Sequence, residues 1–258
     1  MRTIALANQK GGTGKTTTAV NLGAALAERK RRVLLVDVDP QSHLTAHLGC
    51  EDAKYGTYQL LMGLAAASEC VVPEVLPRLD VMPASLALSG AELELAGVRG
   101  REAVLREAMR GIVSEYDYVL FDCPPSLGIL TVNALAAARE VFIPVQLEWM
   151  ALRGLGQLLR TVDAVKRRVN PQVEITGVIG CMYKARRILS AQVLETLVQH
   201  FGERVFRTII RENVRLAEAP SHGMPITLYD PRSRGAEDYR SLATEVLRQE
   251  RKVGVSGG

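Results

Sequence analysis

Short runs rich in Val, Leu and Ile recur along the chain as TIALAN (Thr3 to Asn8), VLLVD (Val33 to Asp37), LDVMP (Leu79 to Pro83), YVLFD (Tyr118 to Asp122), VFIPV (Val141 to Val145) and VEITGVIG (Val173 to Gly180). Their near-continuous apolar character predicts strands covered on both faces. Helical spacing of apolar residues marks Thr16 to Arg29, Arg101 to Ser114, Leu152 to Val169 and Ser190 to Phe201, and the Ala-rich Leu60 to Ala67 predicts a further helix. Strand, helix, strand throughout predicts an α/β fold, a doubly wound and mostly parallel sheet flanked by helices. Such sheets bind ligands beyond the carboxyl ends of their strands, where Asn8, Asp37, Asp39 and Asp122 fall.

Composition narrows this picture. A chain of 258 residues suits one large domain, expected over 1–252, with VGVSGG (Val253 to Gly258) as a frayed tail. Hydrophobic content of 47% with only 5% aromatic residues points to an aliphatic core. Met1 and Arg2 lead directly into the first strand, no signal pattern precedes it, and no long uncharged apolar run occurs, so a soluble cytoplasmic protein is expected. Cys50, Cys70, Cys123 and Cys181 stand singly, without metal-site or disulfide spacing, and read as buried thiols. The net charge of +4 is too mild to identify a nucleic-acid binder by itself.

Chemistry enters with NQKGGTGKTTTAVN, Asn8 to Asn21. Gly11, Gly12 and Gly14 let the backbone turn tightly and aim successive N–H groups at one centre, while a helix starting near Lys15 adds the positive end of its dipole. That is a cradle for a polyphosphate, with Lys15 reaching the β and γ phosphates and the Thr16 hydroxyl completing a Mg²⁺ shell. The pattern GxxxxGK[ST] asks for glycine at position 9, but the chain has Gln9 followed by Lys10, a second lysine that one cradle does not need. Asp122, closing YDYVLFD, is placed to hold Mg²⁺ through water. Asp37 and Asp39 lie two apart, on one side if the strand continues, and Asp39 is a candidate metal-site residue that orients or deprotonates water. A strand-end aspartate also serves as an ordinary cap or turn residue.

KGGTGKTT, LLVDVDPQ and YDYVLFDCPPSLG together resemble the deviant P-loop ATPases of the ParA/Soj and MinD superfamily, and VRLAEAPSHGMPITLYDPRSRGAEDY (Val214 to Tyr239) resembles the chromosomal ParA (Soj) branch. The resemblance implies an ATP- and Mg²⁺-dependent switch: two ATP-bound monomers face each other, the homodimer binds double-stranded DNA nonspecifically, and hydrolysis, slow until a ParB-type partner stimulates it, releases the dimer. It assigns the nucleotide to Lys10, Gly11, Gly12, Thr13, Gly14, Lys15, Thr16 and Thr17, with Lys10 acting on the partner's phosphates, Asp39 on water and Asp122 on Mg²⁺. Asn213 and position 211 match the segment lining the adenine. Arg211 and Glu212 depart from the usual IPRNVRL, reading IRENVRL, and SHLT (Ser42 to Thr45) stands where GNAT is usual after DPQ.

From Lys184 to Arg215, seven basic residues against three acids net +4, without aromatic interleaving, which suits contact with a phosphate backbone or a merely solvated face. The resemblance favours DNA, with Arg186 and Arg215 matching its assigned arginines and Lys184 and Arg187 beside them; a nucleoid-associated protein is then expected. A MinD-like membrane ATPase is the rival, but the end SLATEVLRQERKVGVSGG lacks an aromatic wedge, so no membrane partner is expected. An iron–sulfur ATPase of the nitrogenase iron-protein type would need cysteines near the nucleotide, where only Cys123 stands. A ParA-like protein positioning another cargo through an adaptor stays open. With the first strand starting at Thr3, no helix-turn-helix domain is expected ahead of it.

Overall fold

A computed structural model describes residues 1–149, 151–184 and 187–255. Seven strands form one sheet: β1 (Arg2–Leu6), β2 (Val33–Asp37), β3 (Val72–Leu76), β4 (Leu79–Met82), β5 (Tyr118–Asp122), β6 (Glu140–Gln146) and β7 (Glu174–Cys181). Their spatial order is β3-β4-β2-β5-β1-β6-β7, parallel except for the edge strand β3. The chain steps from β1 across β5 to β2, and later from β5 across β1 to β6. The sheet therefore reverses direction beside β1, where a doubly wound fold opens its ligand crevice.

Both faces are covered, as the apolar strands require. Alternate residues of each strand divide between two cores: Ile4, Leu6, Leu35, Leu120 and Phe142 on one face, Ala5, Leu34, Val36, Phe121 and Ile143 on the other. The first face is closed by α1 (Lys15–Glu28), α2 (His43–His47), α9 (Val214–Glu218), α10 (Ile226–Tyr229) and α11 (Arg234–Val255). The second lies under α3 (Thr57–Leu61), α4 (Leu88–Glu94), α5 (Val104–Met109), α6 (Ile129–Ala137), α7 (Ala151–Arg168) and α8 (Ile188–Phe201). Among the described residues, no helix is long and apolar enough to cross a membrane.

Several expected elements differ. The helix expected over Arg101 to Ser114 is only α5, flanked by 3-10 turns at Arg101–Ala103 and Val113–Glu115; Gly100, at φ 75, and the break at Gly111 limit it. The Ala-rich helix expected from Leu60 to Ala67 ends instead at Leu61, where Gly63 turns left-handed at φ 66, and a 3-10 turn follows at Ala67–Cys70. Strand β3 escapes the hydrophobic pattern because Pro73 and Glu74 interrupt it, features an edge strand tolerates. β2 ends at Asp37, so strand alternation does not govern Asp39. Helix α11 continues to Val255, into the stretch expected as a tail.

At the edge remote from the phosphate loop, Arg2 ties the two ends of the chain together. Its guanidinium pairs with both carboxylate oxygens of Glu140 at 2.6 and 2.7 Å and donates to the Val246 carbonyl of α11 at 2.8 Å. Glu250 of α11 accepts from the Tyr118 hydroxyl and from Arg31. Arg2→Ala leaves Glu140 half-buried without its cation, an expected loss of about 2 kcal/mol. Urea denaturation measures it.

Candidate nucleotide site

The phosphate loop leaves β1 at the crevice and is braced by Asn8. The Asn8 amide donates to Pro144 O within β6 at 2.7 Å, and its Oδ1 accepts from Lys10 N at 3.0 Å. Gly12 (φ 69) and Gly14 (φ 92) take left-handed conformations that a Cβ disfavours, and Gly14 opens α1 with no side-chain cap. The first amides of α1 are therefore free to serve an anion. Thr13 is fully buried beneath the loop.

The two lysines occupy different surroundings. Lys15 is 7% exposed, with its Nζ 3.4 Å from Lys10 O; burial lowers its pKa, opposed by the charges of Asp122 and Asp39. Lys10 turns the other way, its Nζ donating to Gln146 Oε1 at 2.9 Å and lying 3.8 Å from Glu148 on the segment after β6.

Strand register supplies the acids. Asp37 and Asp122 are paired across β2 and β5, and Leu6, the last residue of β1, pairs with Asp122. Asp122 is fully buried; its Oδ2 accepts from Thr16 Oγ1 at 2.6 Å, and its Oδ1 is the one buried side-chain polar atom without a hydrogen-bond partner among the described residues. Burial and the neighbouring Asp37 push the Asp122 pKa well above the carboxylate range. Burial likewise raises Asp37 to about 6, against hydrogen bonds from Thr45 and Asp39. A buried, half-satisfied carboxylate beside a threonine hydroxyl fits a divalent cation, whose charge would offset what the protein leaves uncompensated. Asp39, just past β2, is 7% exposed and accepts from Gln41 N at 3.0 Å.

Beside Gly14 opens a cavity of about 240 Å³, lined by Thr17, Cys181, Met182, Asn213, Leu216 and Tyr239 among others. Its apolar walls and position at the start of α1 suit a purine base. Asn213 caps α9, its Oδ1 accepting from Arg215 N at 2.9 Å. Arg211 lines the cavity too, but its guanidinium is bound by Asp238 (Nε at 3.0 Å) and Glu237, which raise its pKa. The arginine that stands at the resemblance's proline position thus staples this wall to α11.

The basic segment is less free than its charge suggests. Lys184 pairs with Glu212 at 2.7 Å, and Arg215 with Glu218 at 2.8 Å and Asp230 at 3.6 Å. Arg187 is exposed, and Arg186 lies outside the described residues.

Residues 1–175 match the family described as an AAA domain. The sporulation initiation inhibitor protein Soj of Bacillus subtilis is 51% identical over 94% of this chain and 97% of its own length, and the chromosome partitioning protein ParA of Caulobacter vibrioides is 49% identical over 97% and 96%. The chain belongs to the Soj/ParA family of partitioning ATPases. Its fold matches cobyrinic acid a,c-diamide synthase from Mycobacterium smegmatis with bound ATP analog and magnesium at a TM-score of 0.85, with 37% identity over 97% of this chain and 96% of that one. Seen as a Soj/ParA chain, the molecule brings Lys15, Thr16 and Asp122 into one constellation, with Asp39 close by and Lys10 facing away.

Sequence reading missed the partners that hold these groups. Gln146 of β6 and Met182 belong to no local motif, and Asp238 and Tyr239 close the stretch Val214 to Tyr239 without a spacing that tells of Arg211 or the cavity wall. An arginine in a proline's place was the one signal that pointed toward Asp238.

In nucleotide-free protein with chelator present, Asp122→Asn should be more stable than the parent at neutral pH, by about 1 kcal/mol. A carboxyl whose folded pKa is raised loses stability as pH climbs from its unfolded value through the folded one. The difference should therefore vanish below about pH 3, where the group is protonated in both states. Thermal unfolding across pH checks both points.

Proposed function

We propose that the chain is an ATPase switch of DNA partitioning: it binds ATP with Mg²⁺, pairs with a second copy, binds double-stranded DNA without sequence preference, and is reset by hydrolysis that a ParB-type partner accelerates. The observation that carries this reading is the placement of Lys10. A half-exposed lysine held off its own cradle by Gln146 and Glu148 is available to another subunit, whereas Lys15 is committed to the loop beneath it. A cation supplied in trans would offset charge on the transferred phosphoryl group only once two copies meet, which couples turnover to dimerisation. Mg²⁺ would neutralise phosphate charge, held through Thr16 and Asp122; Asp39 would orient water.

Surface chemistry supports self-association at this end of the sheet. Trp149, just past β6, is 63% exposed, and Ile188, at the start of α8, is 78% exposed. A second copy seated against this end would remove both from water. Identities near one half over almost the whole chain to Soj and ParA, against 37% to the synthase, favour partitioning. For DNA, Arg187, Arg215 and Lys184 are the contacts proposed, with Arg186 assigned from the sequence. Association with the nucleoid would follow from such binding.

Lys10→Ala should keep ATP binding within a few-fold while losing dimer-dependent turnover; Lys15→Ala should lose nucleotide affinity itself. Identical behaviour of the two in a binding titration and a phosphate-release assay would overturn the division of labour. Asp39→Ala with ATP should accumulate a dimer by light scattering. Arg215→Ala should weaken DNA binding about uniformly across sequences and flatten its salt dependence.

A further inference from the structure

Asp37 is fully buried, and the proposed nucleotide chemistry does not use it. Among the described residues, its side-chain hydrogen bonds go to the loop that follows and to α2 at the loop's far end. Its Oδ1 accepts from Asp39 N at 3.1 Å, and its Oδ2 accepts from Thr45 N at 3.0 Å and Thr45 Oγ1 at 2.7 Å. One carboxylate thus fastens both ends of the segment that carries Asp39. Neighbouring elements share the anchor: Thr57 Oγ1 donates to Asp37 O at 2.6 Å, and Ala84 N, after β4, donates to Thr45 Oγ1 at 2.8 Å.

Inside the fastened loop sits a strained residue. Ser42 is left-handed at φ 49, a conformation that costs a residue with a Cβ and little to glycine. Ser42 N donates to Asp39 O at 2.8 Å, and Ser42 O accepts from Ala46 N at 2.9 Å, so this conformation joins Asp39 to the first turn of α2. A non-glycine residue persists there only when its surroundings over-determine it.

We infer that Asp37 is a positioning residue that holds the loop bearing Asp39 in one conformation against the strain at Ser42. Its part in turnover rests on the ATPase reading above; the loop clamp does not. In Asp37→Asn a single amide oxygen faces the Asp39 and Thr45 donors, and the new NH₂ group is set against them. Ser42 then relaxes, and Asp39 moves with it. Glycine at 42 removes the strain that the clamp resists, so Ser42→Gly should rescue the clamp's loss. A simple defect of folding would not be rescued so locally.

The test compares full-length Asp37→Asn, Ser42→Gly and their double variant with the parent, using amide hydrogen exchange of nucleotide-free protein and steady-state ATP turnover. Exchange over residues 39–46 should quicken about tenfold in Asp37→Asn while α1 and the sheet keep their protection, and the double variant should recover most of it. Turnover should show kcat lowered about tenfold with KM unchanged, and the same rescue. Should Asp37→Asn fail to fold, Thr45→Val and the conservative Thr45→Ser replace it: the first should loosen the loop and lower kcat, the second should preserve both. Unchanged loop exchange, or a double variant no slower to exchange than the single, overturns the clamp. Exchange as expected with kcat unaltered overturns the positioning role. Exchange and rescue as expected in a parent that hydrolyses no ATP supports the clamp and sinks the ATPase reading instead.

Discussion

Parallel pairing of β2 with β5 sets Asp37 and Asp122 abreast at the buried end of the sheet, and the organisation around them follows from having to accommodate two carboxylates there. Isolated charges at such depth are costly, so each must find donors, a cation or a proton. Asp37 takes donors from its own loop. Asp122 takes only Thr16 and the nearby charge of Lys15, and is left one oxygen short. The same strand register therefore yields one acid satisfied by the chain and one with an oxygen left unpaired among the described residues.

That asymmetry depends on what the two strands lead into. After β2 the chain folds back at once, through Ser42 and α2, so that main-chain and hydroxyl donors surround Asp37. After β5 it leaves the site through Cys123 and two prolines, neither of which can offer an N–H to Asp122. The phosphate loop in front stays open because α1 starts on a left-handed glycine with nothing capping its first turn. Binding capacity here consists of polar groups the fold has declined to satisfy internally.

The C-terminal helix α11 links this end of the molecule to the other. Near its start it presents Asp238 to Arg211 and Tyr239 to Thr18, fixing the wall of the cavity beside Gly14 against α1; near its end, Val246 and Glu250 are held by Arg2, Arg31 and Tyr118. Surface charge is organised by the same local economy. Lys184 and Arg215 lie against Glu212, Glu218 and Asp230, so a count along the segment overstates the positive field a polyanion would meet.

Local pattern determined much of this protein. Continuous apolar runs define six of the strands because a parallel sheet buried on both faces tolerates little else, and the spacing of glycines, Lys15 and Thr16 defines the phosphate loop because few other residues can turn that tightly and still meet a polyphosphate. Edge strand β3 and the short length of α5 were hidden, since Pro73 obscures the one and turns around Gly100 and Gly111 truncate the other. What only the tertiary structure decided is how chemically similar groups divide their roles: Lys10 toward Gln146 and Lys15 toward its own loop, Asp37 satisfied and Asp122 not, Arg211 turned to Asp238. Those differences arise from partners up to more than a hundred residues away in the chain. Burial and hydrogen bonding are properties of that packed neighbourhood, and a one-dimensional spacing carries no record of it.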